Sequence, residues 1–204
     1  MRRPLGVVDL VFAPAGPVEA ALRARELGFD HIDLTNEFEG PLALRVGDRI
    51  AMRPAPGHTV GAPPDGPGIW ERAVRAYRRC PGMRVEPWPG SIVDSIEKVK
   101  ALLAEVPGLR LTLDTGHVAC WGEDPIELLR WADVVQLRQA RKGVAQTLDG
   151  DVDFARLLAR LDEQDFRGPL SIEYFDLPER GWRNPDPVGM AVALAAQLRP
   201  LLGR

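Results

Sequence analysis

The chain is poor in cysteine and histidine. Its two cysteines, Cys80 and Cys120, could form one disulfide, but 204 residues bury a core that does not depend on one, so reduced thiols are expected. Long apolar runs are missing too. No stretch approaches the roughly 18 consecutive apolar residues that a membrane helix takes. Met1-Arg2-Arg3-Pro4 is basic, but Asp9 follows, with neither the apolar run nor the small-residue cleavage site of a secretory signal, so a cytoplasmic location is expected. Neither sign of charge dominates: 26 basic and 29 acidic residues give a net charge of −3, mixed along the chain, with no basic stripe for a polyanion to follow. Nucleic acid and membrane are therefore not expected partners. A Gly-x-Gly-x-x-Gly turn after the first strand is absent as well, which removes the usual reason to expect a dinucleotide fold.

What remains, 45% hydrophobic and 27% charged residues, is the composition of an ordinary globular protein. The length suits one sizeable core, and residues 1–204 are read as one domain. Short apolar runs alternate with stretches of helical period, the pattern of parallel strands joined by crossover helices. Seven strands are recognisable: Leu5 to Phe12, Phe29 to Thr35, Arg49 to Arg53, Met83 to Glu86, Leu109 to Leu113, Val134 to Leu137 and Leu170 to Tyr174. Helices are expected from Pro17 to Leu27, Ile69 to Arg79, Ser91 to Glu105, Asp124 to Trp131, from Asp151 onward, and from Pro187 to Leu202. Gly28 stands where a left-handed cap ends the first helix, and Ser91 is read as the cap of the third. Pro54 to Gly68 is too rich in proline and glycine for a regular element. An eighth strand, if there is one, is expected within Asn36 to Asp48. The architecture is a (β/α) TIM-type barrel or a doubly wound open sheet.

Carboxylates and a histidine stand at the C-terminal ends of three strands: Glu86, Asp114 with His117, and Glu173. In parallel α/β folds that edge carries the sites. Any one of these acids could be a helix cap or an ion-pair partner. Three converging from separate strands would repel one another unless a divalent cation or shared protons compensated.

Leu113-Asp114-Thr115-Gly116-His117 resembles the Leu-Asp-Thr-Gly-His strand end of the xylose-isomerase-like sugar isomerase/epimerase superfamily. In the same order, Val134-Val135-Gln136-Leu137-Arg138-Gln139 is similar to its Val-His-Leu-Lys-Asp strand, and Gly150-Asp151-Val152-Asp153-Phe154 to its Gly-x-Val-Asp-Phe helix entry. Gly168-Pro169-Leu170-Ser171-Ile172-Glu173 resembles its final strand, and Leu27 to Leu34 its second. The resemblance implies a (β/α) barrel with one unit missing, and an isomerase or epimerase moving protons on a small sugar-like or cyclitol-like substrate. It implies metal ligands at Glu86, Asp114, Gln136 and Glu173, with Glu86 and Glu173 as the acid/base pair and His117 facing substrate oxygens. Gln136 replaces the family's histidine, and a neutral amide oxygen suits Mg²⁺ or Mn²⁺ better than Zn²⁺ and binds weakly. The metal is thus either weakly held or absent. Metal-free dehydratase, lyase or cyclase chemistry on the same residues, and a non-catalytic binding barrel, stay open beside the isomerase. A nuclease is the weakest of the family readings, since that branch needs a cluster of metals held by several histidines and only His31, His58 and His117 exist here.

Arg53, in place of a family histidine, could fork onto an anionic group or form a rim salt bridge. Arg141 and Lys142 are placed for an anionic substrate group or for solvent, and Trp88 and Trp121 for pocket walls or packing. His58 reads as a surface residue of the Pro/Gly loop, and His31 is given no role.

Overall fold

The computed structural model describes residues 3–35, 45–46, 49–50, 52–53 and 59–203. His58 and the side chain of Arg53 lie outside the described residues, as does most of the segment Asn36 to Asp48.

Eight parallel strands form one sheet: β1 (Gly6–Val8), β2 (Ile32–Asp33), β5 (Met52–Arg53), β6 (Thr59–Gly61), β7 (Arg84–Glu86), β8 (Arg110–Asp114), β9 (Ala132–Leu137) and β12 (Leu170–Ile172). Their spatial order is β5-β2-β1-β12-β9-β8-β7-β6, the curled order of a (β/α) barrel. Two antiparallel pairs stand apart from it, β3 (Arg45–Val46) with β4 (Arg49–Ile50) and β10 (Gln139–Arg141) with β11 (Val144–Thr147). Among the described residues no pairing joins the edge strands β5 and β6.

The eighth strand is therefore not where the sequence suggested. It is Thr59–Gly61, inside the Pro/Gly run, paired with β7 through Thr59↔Arg84, Val60↔Val85 and Gly61↔Glu86. An edge strand of three residues needs no apolar pattern of its own, because its partner sets the register. Of the expected strand Arg49 to Arg53, only Met52–Arg53 joins the barrel sheet, while Arg49–Ile50 turns back on β3.

Period-2 alternation sorts the strand residues into two faces. Val7, Ile32, Val85, Leu111, Leu113, Val135, Leu137, Leu170 and Ile172 lie on the outer face by register, and all are buried under helices α1 (Pro17–Glu26), α2 (Ile69–Arg78), α3 (Ile96–Glu105), α5 (Phe154–Glu163) and α6 (Pro187–Leu201). The inner face is largely polar. Gly6, Ser171, Gln136 and Asp114 follow one another across β1, β12, β9 and β8. His31 packs across the face of Gly6, where a Cβ would collide with its ring, and its Nε2 lies 3.0 Å from Ser171 Oγ. His31 thus fills the barrel interior, which only a glycine at position 6 permits.

The helices begin where side-chain caps allow. Ser95 Oγ accepts from Lys98 N to start α3, so the cap lies four residues beyond Ser91; Ser91 is instead buried, its Oγ accepting from Val93 N at 3.3 Å. Asp153 caps α5 and Asp186 caps α6. Residues Pro125–Trp131 form a 3₁₀ helix capped by Asp124. Among the described residues no helix is long and apolar enough to cross a membrane.

Candidate active site

Strands β7, β8, β9 and β12 carry the polar residues of the barrel mouth. Asp114 ends β8 and caps α4 (Thr115–Trp121), a helix the sequence reading did not separate from its motif. Its Oδ1 accepts from the backbone N–H groups of Gly116 (2.7 Å) and His117 (3.3 Å), satisfying donors that a helix start leaves unpaired. This first turn carries His117 back over the aspartate. The imidazole Nε2 lies 3.3 Å from Asp114 Oδ2 and 3.4 Å from Glu86 Oε1. The ligating atoms of Glu86, Asp114 and His117 all fall within 4.8 Å of one another.

Arg138 is the residue the sequence reading left without a role. It is 0% exposed, and its NH2 donates to Asp114 Oδ2 in a short ion pair. The same nitrogen is 3.1 Å from His117 Nδ1. Its guanidinium carbon lies 4.6 Å from the centroid of the Phe175 ring, a cation–π contact. Thr115 Oγ1 ties the backbone down, donating to Arg138 O and accepting from Arg138 N, both at 2.9 Å. Gly116 makes the room: a Cβ there would sit 2.5 Å from Arg138 Nε.

Glu173 is buried beside this cluster, and its carboxyl is held well above the ordinary glutamate range. Loss of water is the main cause, followed by the negative charges of Glu86 and Asp114 and a hydrogen bond with Asp114, with Arg138 pulling the other way. Two buried oxygens, Glu173 Oε2 and Gln136 Oε1, have no hydrogen-bond partner. Glu86 is partly open, its side chain 23% exposed. One buried carboxyl with a raised pKa and one partly open carboxyl, with an imidazole touching the second, make an asymmetric acid/base pair.

An aromatic wall closes the other side. Trp182 lies with its ring 5.5 Å from His117, 5.6 Å from Phe175 and 6.3 Å from Trp88. Trp88 Nε1 donates to Ala62 O at 2.6 Å, which fixes it at the rim. Trp121 ends α4, its Nε1 buried without a partner. Arg141 is exposed on the β10–β11 hairpin and reaches Asp149 O at 3.3 Å, while Lys142 packs on Gly122. Gln139, which replaces the family's acid, is a clasp: its amide donates to Val152 O and accepts from Val152 N, at 2.8 and 3.1 Å. Trp182 and Phe175 lay beyond the reach of sequence reasoning, since neither belongs to a motif. Arg138 did carry a signal, as a basic residue directly after the strand of the Gln136 substitution.

An eight-stranded parallel sheet with acids and a histidine at one mouth defines a protein of the TIM-barrel class with a carboxylate-based site. Residues 12–188 match the family model "Xylose isomerase-like TIM barrel", and the chain belongs to that family. It is 30% identical over 110 residues to the inosose dehydratase of Geobacillus kaustophilus, a match that spans 41% of this chain and 36% of that enzyme. Its fold is similar to that of a D-allulose 3-epimerase from Methylomonas sp. (TM-score 0.63, 16% identity, 98% of each chain covered). The 3-keto-D-glucoside 4-epimerase of E. coli (TM-score 0.65, 13% identity, 97% of this chain and 99% of that one) is similar in the same way. So is the probable 3-DHS dehydratase of Bacillus anthracis (TM-score 0.61, 14% identity, 96% and 98%).

Proposed function

We propose that the chain, acting as one domain, is an isomerase or epimerase that moves protons on a small polyhydroxylated, sugar-like or cyclitol-like carbonyl substrate. The observation that carries this reading is the split setting of the two carboxyls: Glu173 is buried with its Oε2 unpartnered, which raises its pKa, while Glu86 stays partly open beside His117. Glu86 removes the proton next to the carbonyl. The C–H electron pair moves into the new C=C bond, and the carbonyl π electrons move onto oxygen. Glu173 then delivers its proton to the opposite face of the enediolate, and the carbonyl re-forms with inverted configuration. The enzyme resets when Glu86 loses its proton to solvent and Glu173 regains one. His117, with Trp182 against its ring, orients the substrate hydroxyls; Trp88 lines the rim. Arg141 is expected to contribute less, because it is engaged with Asp149, while Trp121 and Arg53 stay candidates for substrate contact. A small soluble substrate agrees with a cytoplasmic setting and with neither nucleic acid nor membrane as partner.

The stretch of identity to an inosose dehydratase favours dehydration as the second reading. It shares the first step, after which Glu173 protonates a departing hydroxyl rather than carbon. One experiment separates the two. Ketoses and inososes are incubated with the protein in D₂O and followed by NMR: deuterium at the α carbon together with inverted configuration there marks epimerisation, and loss of water marks dehydration. A panel in which neither occurs, with Glu86→Gln and Glu173→Gln indistinguishable from wild type, overturns both and leaves a binding barrel.

A further inference from the structure

The donor trio Glu86, Asp114 and His117 has the spacing of a cation site, yet its centre is already supplied with positive charge. We infer that the Arg138 guanidinium takes the place of the divalent cation, so that this barrel works without a resident metal. The inference deepens the proton-transfer reading, and its geometry stands without it.

Lone-pair accounting at Asp114 is the first support. Oδ1 serves Gly116 N and His117 N, and Oδ2 serves Arg138 NH2 with His117 Nε2 at 3.3 Å. Each oxygen of the aspartate thus already has two protein partners, and Glu173 hydrogen-bonds the same carboxylate. The second support is the histidine tautomer. Arginine has donors only, so His117 Nδ1, 3.1 Å from Arg138 NH2, presents its lone pair there. The proton then sits on Nε2, which points at Asp114 and Glu86 and cannot ligate an ion while it carries that proton.

A third support is that Arg138 has nowhere else to go. It is fully buried, stacked on Phe175 at 4.6 Å, held at its backbone by Thr115, and covered by Gly116, whose lack of a Cβ is what admits the guanidinium. A divalent ion among the trio would lie against this fixed charge. Gln136, at the place of the expected histidine, does not redress this, because it offers only a neutral amide oxygen. The ligand set and the cation it suits therefore do not fit each other here. The unpartnered Gln136 Oε1 and Glu173 Oε2 are better matched to substrate hydroxyls. Arg138 acts through Asp114 and His117 as a positioning residue, setting the charge and tautomer of the groups that face substrate.

The test is calorimetric titration of the chelator-treated full chain with MnCl₂ and MgCl₂, backed by elemental analysis. Wild type is expected to bind neither ion tighter than about 1 mM. Gln136→His/Arg138→Met, which restores an imidazole and removes the guanidinium, is expected to bind about one Mn²⁺ at least ~100-fold tighter, and to lose it when Asp114→Ala is added. Wild type binding about one ion at micromolar affinity, lost in Asp114→Ala, overturns the inference. So does a folded double variant that gains nothing. If the double variant does not fold, the wild-type melting temperature decides: no shift with excess Mn²⁺ supports the inference, and a rise that Asp114→Ala abolishes overturns it. Deuterium exchange on substrate reports separately on function. Exchange that persists in chelator upholds both readings, while no exchange together with no ion binding sinks the proton-transfer proposal alone.

Discussion

Replacing Glu173 by glutamine should make the protein less sensitive to alkaline pH, and the size of the effect follows from its burial. Glu173 holds its proton well above the usual value of 4.5 because burial and the charges of Glu86 and Asp114 disfavour the carboxylate. Between the ordinary glutamate pKa and the raised one, the folded chain binds one proton more than the unfolded chain. Unfolding free energy therefore falls as pH rises through that window, by about 1.4 kcal/mol per pH unit. For a chain of this size that is roughly 3–6 °C in Tm per unit. Glutamine copies the neutral acid in shape and carries no titration, so the difference in Tm between Glu173→Gln and wild type should widen in favour of the variant from about pH 5 upward, then level off at the folded-state pKa. Asp9, also raised mainly by burial, is common to both chains and cancels in the difference. Thermal melts by circular dichroism at half-unit steps from pH 4.5 to 9 give the two curves. Parallel curves, or a difference that shrinks as pH rises, would refute the reasoning, because they would mean that Glu173 ionises as readily in the fold as outside it.

Other consequences follow from the same cluster. Asp114→Asn keeps an oxygen for the α4 cap but turns an amide toward Arg138, leaving a buried guanidinium unpaired, and should cost about 3–5 kcal/mol in denaturant unfolding. Gly116→Ala places a Cβ 2.5 Å from Arg138 Nε and 3.1 Å from its Cγ, and should cost about 1–3 kcal/mol, with part of the loss recovered in Gly116→Ala/Arg138→Met. Ser95→Ala removes the acceptor for Lys98 N at 3.2 Å and should lower stability by about 1 kcal/mol with no change in proton exchange on substrate, since α3 packs outside the barrel.

Much of this architecture could be read from residue order because the outer faces of the strands are apolar and their ends carry acids. Val85, Leu111, Leu113, Val135 and Ile172 announce strands by composition, and Glu86, Asp114 and Glu173 mark their C-terminal ends. Thr59–Gly61 was hidden for a physical reason: it is an edge strand of three residues paired on one side, and proline and glycine around it mask the weak local preference that remains. α4 was hidden because its seven residues begin directly after the strand's own last aspartate, which caps them. Ser91 and Ser95 look alike in sequence, and only the chain path decides which oxygen meets a helix N–H. The acids of the site were legible as a set, but the charge balance among them was not. A basic residue at a strand end points as readily to solvent as to the interior, and Arg138 turns inward because Gly116 and Phe175, from two other segments, form a slot for it. Trp182 reaches His117 from a loop that carries no periodic pattern.

The most direct test of the central claim is solvent deuterium exchange at the carbon beside the carbonyl of a ketose or inosose, followed by NMR for wild type, Glu86→Gln and Glu173→Gln. The account predicts exchange by wild type and a loss of about 100-fold or more in each variant, in line with removal of a general acid or base. Exchange by wild type that both variants retain would contradict it, since the two carboxyls would then have no part in moving the proton.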